Sequence, residues 1–147
     1  MTKKSLFLLT CILLSSTPVH AADATIGFIK SLDGRATVTH EQQTADAALG
    51  TPVHEGDTLQ TGWNGSLGVT FKDNTRISLG PSSRVTIPHF AFEPAADQYG
   101  FVLRLISGTM QYLSGLTAKL SPDSMKIETP TATVAVRGTR FLARAER

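Results

Sequence analysis

From residue 25 onward, apolar side chains recur at every second position in short runs, and turn-forming residues close each run. That period of two belongs to strands with one buried face. In GWNGSLGVTFKDNTRISLGPSSRVTI, Leu67, Val69 and Phe71 share one face, Ile77 and Leu79 the next, and Val85 and Ile87 a third. Three short rungs in succession predict an all-β domain, solenoid-like (β-helix) or a meander of short strands, with a β-sandwich or barrel as the alternative. Asp33-Gly34 and Asn64-Gly65 are hairpin signals, because both central residues of a type I′ turn need positive φ. Asp73-Asn74 and Gly80-Pro81 continue the punctuation, and Asn74 suits a left-handed position better than most residues.

EQQTADAALG and FAFEPAADQYG lack alternation and are expected to be loops, the first with room for one helical turn. FVLRLISGTMQYL predicts two further strands around Ser107-Gly108, the first of them buried on both faces. Near the end, IETPTATVAVRGTRF alternates through Ala132, Val134 and Val136 and then loses the pattern at Gly138. A β-bulge with Gly138 as the extra residue restores it, returning Thr139, Phe141 and Ala143 to the buried face and turning Arg140 and Arg144 outward. Arg137 is then free to form a bidentate pair with a carboxylate, with Asp57 and Asp73 as candidates.

The first 22 residues belong to a different pattern. Lys3 and Lys4 precede a short apolar stretch that ends in small residues at Ala21 and Ala22, the form of a cleavable secretory signal peptide. The expected mature chain is a single domain of residues 23–147, periplasmic or alternatively secreted, beginning at Ala22 or Asp23. Cys11, the single cysteine, lies inside the signal, so the mature part has no disulfide and no thiol chemistry. The formal charge of +2 comes from Lys3 and Lys4, which leaves the mature part near neutrality and without the basic excess of a nucleic-acid binder. No later apolar run is long enough to cross a membrane as a helix.

Catalytic patterns are absent from the sequence. His40, His54 and His89 stand in no metal-ligand spacing, no nucleophile elbow surrounds a serine, and no phosphate-binding glycine loop opens a helix. The sequence therefore predicts no enzyme, no cofactor and no metal site. His54-Glu55-Gly56-Asp57 places three titratable groups together, either for acid–base chemistry in a hydrolase or cation binding, or as a turn between strands with His54 and Glu55 solvated; the turn is the expectation. Trp63 is a candidate platform for a sugar or a protein partner, or else covers the end of a barrel or solenoid. Arg137 and Arg140, with Arg144 and Arg147, form a basic end that meets an acidic partner or remains a solvated terminus.

VHEGDTLQTGWNGSLGVTFKDNTRISLGPSSRVTI, LRLISGTMQYL and IETPTATVAVRGTRF together resemble the FecR domain, named for iron-dicitrate sensor regulators of bacterial envelopes. The shared order is Gly-Asp, Thr-Gly, Phe-x-Asp-x-Thr and Thr-Pro-x-Ala-x-Val-x-Val-Arg-Gly-Thr-x-Phe, over roughly residues 27 to 143. The resemblance implies a periplasmic all-β domain, often described as β-helix-like, that mediates protein contacts in envelope signalling. Signalling members carry a cytoplasmic anti-sigma segment and a transmembrane helix before this domain and a further small domain after it. Here a signal peptide stands in front, and six residues follow Phe141, so a stand-alone exported FecR-like domain is expected. Gly56, Asp57, Thr61, Gly62, Asp73, Pro130, Arg137, Gly138 and Thr139 are then motif residues with structural duties. The function expected is binding to an envelope protein or a cell-wall partner, with a purely scaffolding role as the alternative.

Overall fold

The computed structural model describes residues 23 to 146. Residues 1–22, expected to be a signal peptide, lie outside them. The domain is all-β, built as a curled, mainly antiparallel sheet whose two halves face each other across one core. The strands in chain order are β1 (Thr25–Asp33), β2 (Ala36–His40), β3 (Gln43–Asp46), β4 (Pro52–His54), β5 (Thr58–Thr61) and β6 (Ser66–Phe71). They continue with β7 (Arg76–Leu79), β8 (Arg84–Glu93), β9 (Gln98–Leu113), β10 (Met125–Glu128), β11 (Thr133–Ala135) and β12 (Arg140–Ala145). A short helix, α1 (Leu116–Leu120), lies between β9 and β10.

The first half runs β4-β1-β6-β7 to the second part of β9 and then β12. The second half runs β3-β2-β5-β8 to the first part of β9 and then β10 and β11. Alternation along the strands buries Leu67, Val69, Phe71, Ile77, Leu79, Val85 and Ile87, the three rungs that the sequence indicates. Phe101 sits at the centre, edge-on to Phe71 at 4.7 Å and to Phe90 at 4.8 Å between ring centroids. Such contacts add to the burial of the rings themselves.

The turn signals are real, but only one of them makes a hairpin. Asp73-Asn74 joins the paired strands β6 and β7, with Asn74 at φ 64 as expected. Asp33-Gly34, Asn64-Gly65 and Gly80-Pro81 join strands that do not pair with each other, so the hairpin reading of these sites is corrected. At each, the chain passes from one half of the sheet to the other, as strands do at the corners of orthogonally packed sheets. The corners stack. Gly62 N–H donates to Arg35 O at 2.8 Å, Ser82 N–H to Gly62 O at 2.9 Å, and Gly80 N–H to Thr109 O at 3.1 Å. Backbones this close leave no room for a side chain: a Cβ on Gly65 would stand 2.2 Å from Arg35 O.

The fourth corner is made inside a strand. The two strands expected around Ser107-Gly108 are one, β9, of 16 residues, bent where Gly108 takes φ 88. Both expected loops contain strands as well. Gln43–Asp46 of EQQTADAALG is the edge strand β3, and FAFEPAADQYG is a β8–β9 hairpin with one 3-10 turn at Pro94–Ala96. Each gains its structure from a neighbouring strand, since β3 is exposed on both faces and has no alternation to show.

The C-terminal motif corrects the bulge. Gly138 does not lie among the positive-φ glycines and has open space where a Cβ would go. The register is lost because the strand ends: β11 pairs with β10 in one half, and β12 pairs with β9 in the other. Val136 is buried, whereas Val134, expected on the same face, is exposed. Along β12, Phe141, Ala143 and Ala145 turn inward and Arg140, Leu142 and Arg144 outward, while Thr139 is exposed.

Candidate functional site

Several places gather the residues that the sequence singles out. The first is the turn from β4 to β5. Gly56 stands at φ 84, and the turn docks on β8 through Gly56 N–H to Ile87 O at 2.8 Å and Ile87 N–H to Asp57 O at 3.1 Å. Asp57 has no exposed surface. Its Oδ2 accepts from the His54 N–H at 2.8 Å, and its Oδ1 lies 2.5 Å from His40 Nδ1. His40 Nε2 lies 3.3 Å from Asp23 Oδ2, and His54 Nδ1 lies 3.7 Å from Asp57 Oδ2. The two imidazole rings stand 4.8 Å apart. The hydrogen bond to the Asp57 carboxylate holds the His40 pKa above its ordinary 6.5, opposed by desolvation and assisted by the charges of Asp57, Glu41 and Asp23. Glu55, half exposed, accepts from the Phe90 N–H at 2.8 Å and lies 3.3 Å from His89. His54 is more enclosed than the expected solvated turn residue, at 20% side-chain exposure.

The second place is the corner column. Thr61 is buried; its hydroxyl donates to Gly80 O at 2.6 Å and accepts from Ser83 N–H at 2.9 Å. Trp63 stands off the corner at 83% exposure, so it does not cover the end of the barrel. It borders a cleft of about 190 Å³ lined also by Gln60, Ser82, Arg84 and Ser107. Arg84 Nε and Nη2 both donate to Gln60 Oε1, at 3.2 and 2.8 Å, which fixes the two planar groups side by side.

At the far end of the β6–β7 hairpin, Asp73 is buried and accepts from Thr75 N–H at 3.0 Å, Thr75 Oγ1–H at 2.7 Å and Thr117 N–H at 3.3 Å. It thereby fastens α1 to the hairpin. The buried phenol of Tyr112 is pushed up to about 12, first by desolvation and then by the Asp73 charge.

The third place is the outer side of β9, where β11 and β12 form the last strands of the two halves. Pro130 lies in the turn before β11, held by Thr129 N–H to Ala132 O at 2.7 Å. Thr139 O accepts from Ser114 N–H at 2.9 Å. Arg137 and Arg140 are exposed. The Arg137 pairing expected with Asp57 or Asp73 does not form: the first carboxylate is taken by His40 and His54, the second by Thr75 and Thr117.

The stretch from Asp57 onward therefore contains three of the four corners, the Asp73 clasp and both outer strands, and a family model described as FecR protein matches residues 57–147. The chain belongs to the FecR family. FecR proteins form a regulatory, envelope-associated family linked to signalling. Neither a curated protein nor a solved structure matches the chain. Among the described residues, no helix is long and apolar enough to cross a membrane. His40 and His54 precede the matched stretch, and Asp57 opens it. Their clustering escaped the sequence because ligand spacing is a local signal, whereas here the end of β2 and the end of β4 converge on a turn.

Proposed function

We propose that this chain is an exported, non-enzymatic FecR-like binding module of the bacterial envelope, periplasmic in location, whose partner is a protein. The observation that carries the reading is the free edge of β12. Among the described residues, β12 pairs with β9 on one side and has no strand on the other. Its outer face presents Leu142, 72% exposed, between Arg140 and Arg144. Arg144 is loosely opposed by Glu146 at 3.9 Å, and both side chains are largely in solvent. An unpaired edge offers main-chain donors and acceptors to an extended segment, and the side chains beside it select the sequence. An apolar residue flanked by acids matches Leu142 and the two arginines. The regulatory character of the family agrees with recognition in place of catalysis.

The test is crosslinked capture from intact cells with the full chain as bait, beside a variant carrying Arg140→Glu, Leu142→Glu and Arg144→Glu. These side chains are exposed, so the melting temperature should hold while the captured protein disappears. Equal capture by both baits refutes the edge. An exported form that retains Met1, in place of one beginning at Ala22 or Asp23, refutes the processing step.

A further inference from the structure

His40 has a carboxylate at each ring nitrogen, Asp57 on Nδ1 and Asp23 on Nε2. A neutral imidazole carries one ring proton, so it can donate to only one of them. Asp57 is wholly enclosed, and among the described residues no lysine or arginine pairs with it. Asp57 accepts from one neutral donor, the His54 N–H, where the equally buried Asp73 accepts from three, so its charge favours a cation beside it. Either a second proton on His40 or a metal ion at the same place meets that need.

We propose that His40 Nδ1, His54 Nδ1 and the Asp57 carboxylate form a binding site for a divalent transition-metal ion, zinc by its ligand chemistry, with Asp23 supporting His40 from behind. The three ligand atoms lie within 4.8 Å of one another. Ligands about 2.1 Å from a tetrahedral centre stand roughly 3.4 Å apart. His40 Nδ1 lies 2.5 Å from Asp57 Oδ1 and His54 Nδ1 lies 3.7 Å from Asp57 Oδ2, so both imidazoles already face the carboxylate and small ring movements bring their nitrogens to that spacing. Two imidazoles with one carboxylate suit zinc; calcium and magnesium prefer oxygen throughout. Asp23 Oδ2 lies 3.3 Å from His40 Nε2, close enough to favour a proton on that nitrogen and leave Nδ1 to ligate, the arrangement of a carboxylate–histidine–metal relay. Both rings are partly exposed, with side chains at 34% and 20%, which leaves the fourth position to water.

Such an ion ties together the end of β2, the end of β4 and the turn into β5, strands that do not pair with β12 in the sheet. Binding therefore stabilises the fold through these three segments and stands apart from partner capture at the β12 edge.

The experiment is calorimetric titration of zinc chloride into the chelator-stripped chain of residues 23–147, repeated in buffers of different ionisation enthalpy. One ion per chain is expected, and a proton that His40 Nδ1 holds against Asp57 passes to the buffer as the metal takes its place. His40→Gln and His54→Gln should each weaken binding by about 100-fold or abolish it, and Asp23→Asn by about tenfold. His89→Gln, which changes a half-exposed histidine outside the cluster, should bind like the parent. Melts in chelator establish that each variant is folded. Cobalt substitution supplies a second readout, in which the parent should show the intense visible bands of a four-coordinate site. Zinc binding in the His40→Gln, His54→Gln double variant equal to the parent overturns the assignment, as does a parent that binds no zinc at micromolar concentration.

Discussion

Gly108→Ala separates the two things that the bent strand asks of its glycine. At φ 88 an alanine is held in a left-handed region that costs about 1–2 kcal/mol. Its Cβ would also stand 2.3 Å from Ser83 Oγ, 2.5 Å from Ser83 Cα and 2.7 Å from Ser83 Cβ. The second of these is backbone, so the β8 end of the corner must shift by about 1 Å to reach a normal carbon–carbon distance. That shift pulls on the Thr109 N–H to Ser83 Oγ bond of 2.9 Å and the Ser83 N–H to Thr61 Oγ1 bond of 2.9 Å. Overpacking of this kind costs about 1–3 kcal/mol, for a total of about 2–5 kcal/mol. Gly56→Ala carries the conformational cost alone, since φ is 84 and nothing lies within 4 Å of the new Cβ. Gly138→Ala has open space and no positive φ, so it should be neutral within about 0.5 kcal/mol or slightly stabilising. Urea unfolding of the three variants beside the parent, compared at equal m, gives the ranking. A Gly108→Ala loss within about 0.5 kcal/mol of the Gly56→Ala loss would refute the rigid corner column. A Gly138→Ala loss as large as that of Gly56→Ala would bring back the bulge.

Asp73→Ala removes the acceptor from two backbone N–H groups and one hydroxyl, and should destabilise by about 2–5 kcal/mol in the same unfolding assay; Asp73→Asn, which keeps one oxygen, should lose less, and equal losses contradict the clasp. His40 supplies the pH dependence: its folded-state pKa is raised, so in chelator its stabilising contribution is complete below the unfolded value near 6.5 and is lost as pH rises through the folded value. Melting temperature should therefore fall across that window in the parent and lose this component in His40→Gln; the groups facing the ring are Asp57, His54, Asp23 and Glu41.

Which faces are buried was legible in the sequence because a strand covered on one side has to alternate, and the alternating apolar residues Leu67, Val69, Phe71, Ile77, Leu79, Val85 and Ile87 are all buried. What each strand pairs with was not. Asp-Gly signals a backbone with positive φ, and Gly34 takes φ 65 at a corner as readily as it would in a hairpin, whereas neither Asn64 nor Gly65 has positive φ and the glycine there serves close backbone approach. Deciding between the two requires knowing that Arg35 O lies against Gly62, a contact 27 residues away along the chain. The unrecognised strands fail for the opposite reason. β3 has no buried face, so its hydrogen bonds to β2 leave no trace in its residue types. The His40, His54 and Asp57 cluster lies at a similar depth: 14 residues separate the histidines, and only the convergence of β2 and β4 makes them neighbours.

The Arg-Gly-Thr break has a related origin, with a consequence for function. Thr133 to Ala135 closes one half of the sheet and Arg140 to Ala145 the other, so the intervening residues have to leave one half and enter the next. Val136, buried at 2% exposure, anchors the departure, and Thr139 O, accepting from Ser114 N–H, marks the arrival. Between them Arg137 and Gly138 are in solvent and packed against nothing that would constrain their type. Packing therefore accounts for Val136, Phe141 and Ala145 but not for the arginine. One segment thus forms the outermost strand on both halves of the domain and carries Arg137, Arg140 and Arg144 along the join. A partner strand laid against β12 from that side meets all three charges in sequence. The proposed recognition would account for the arginine at this exposed crossing, where packing gives no reason for it.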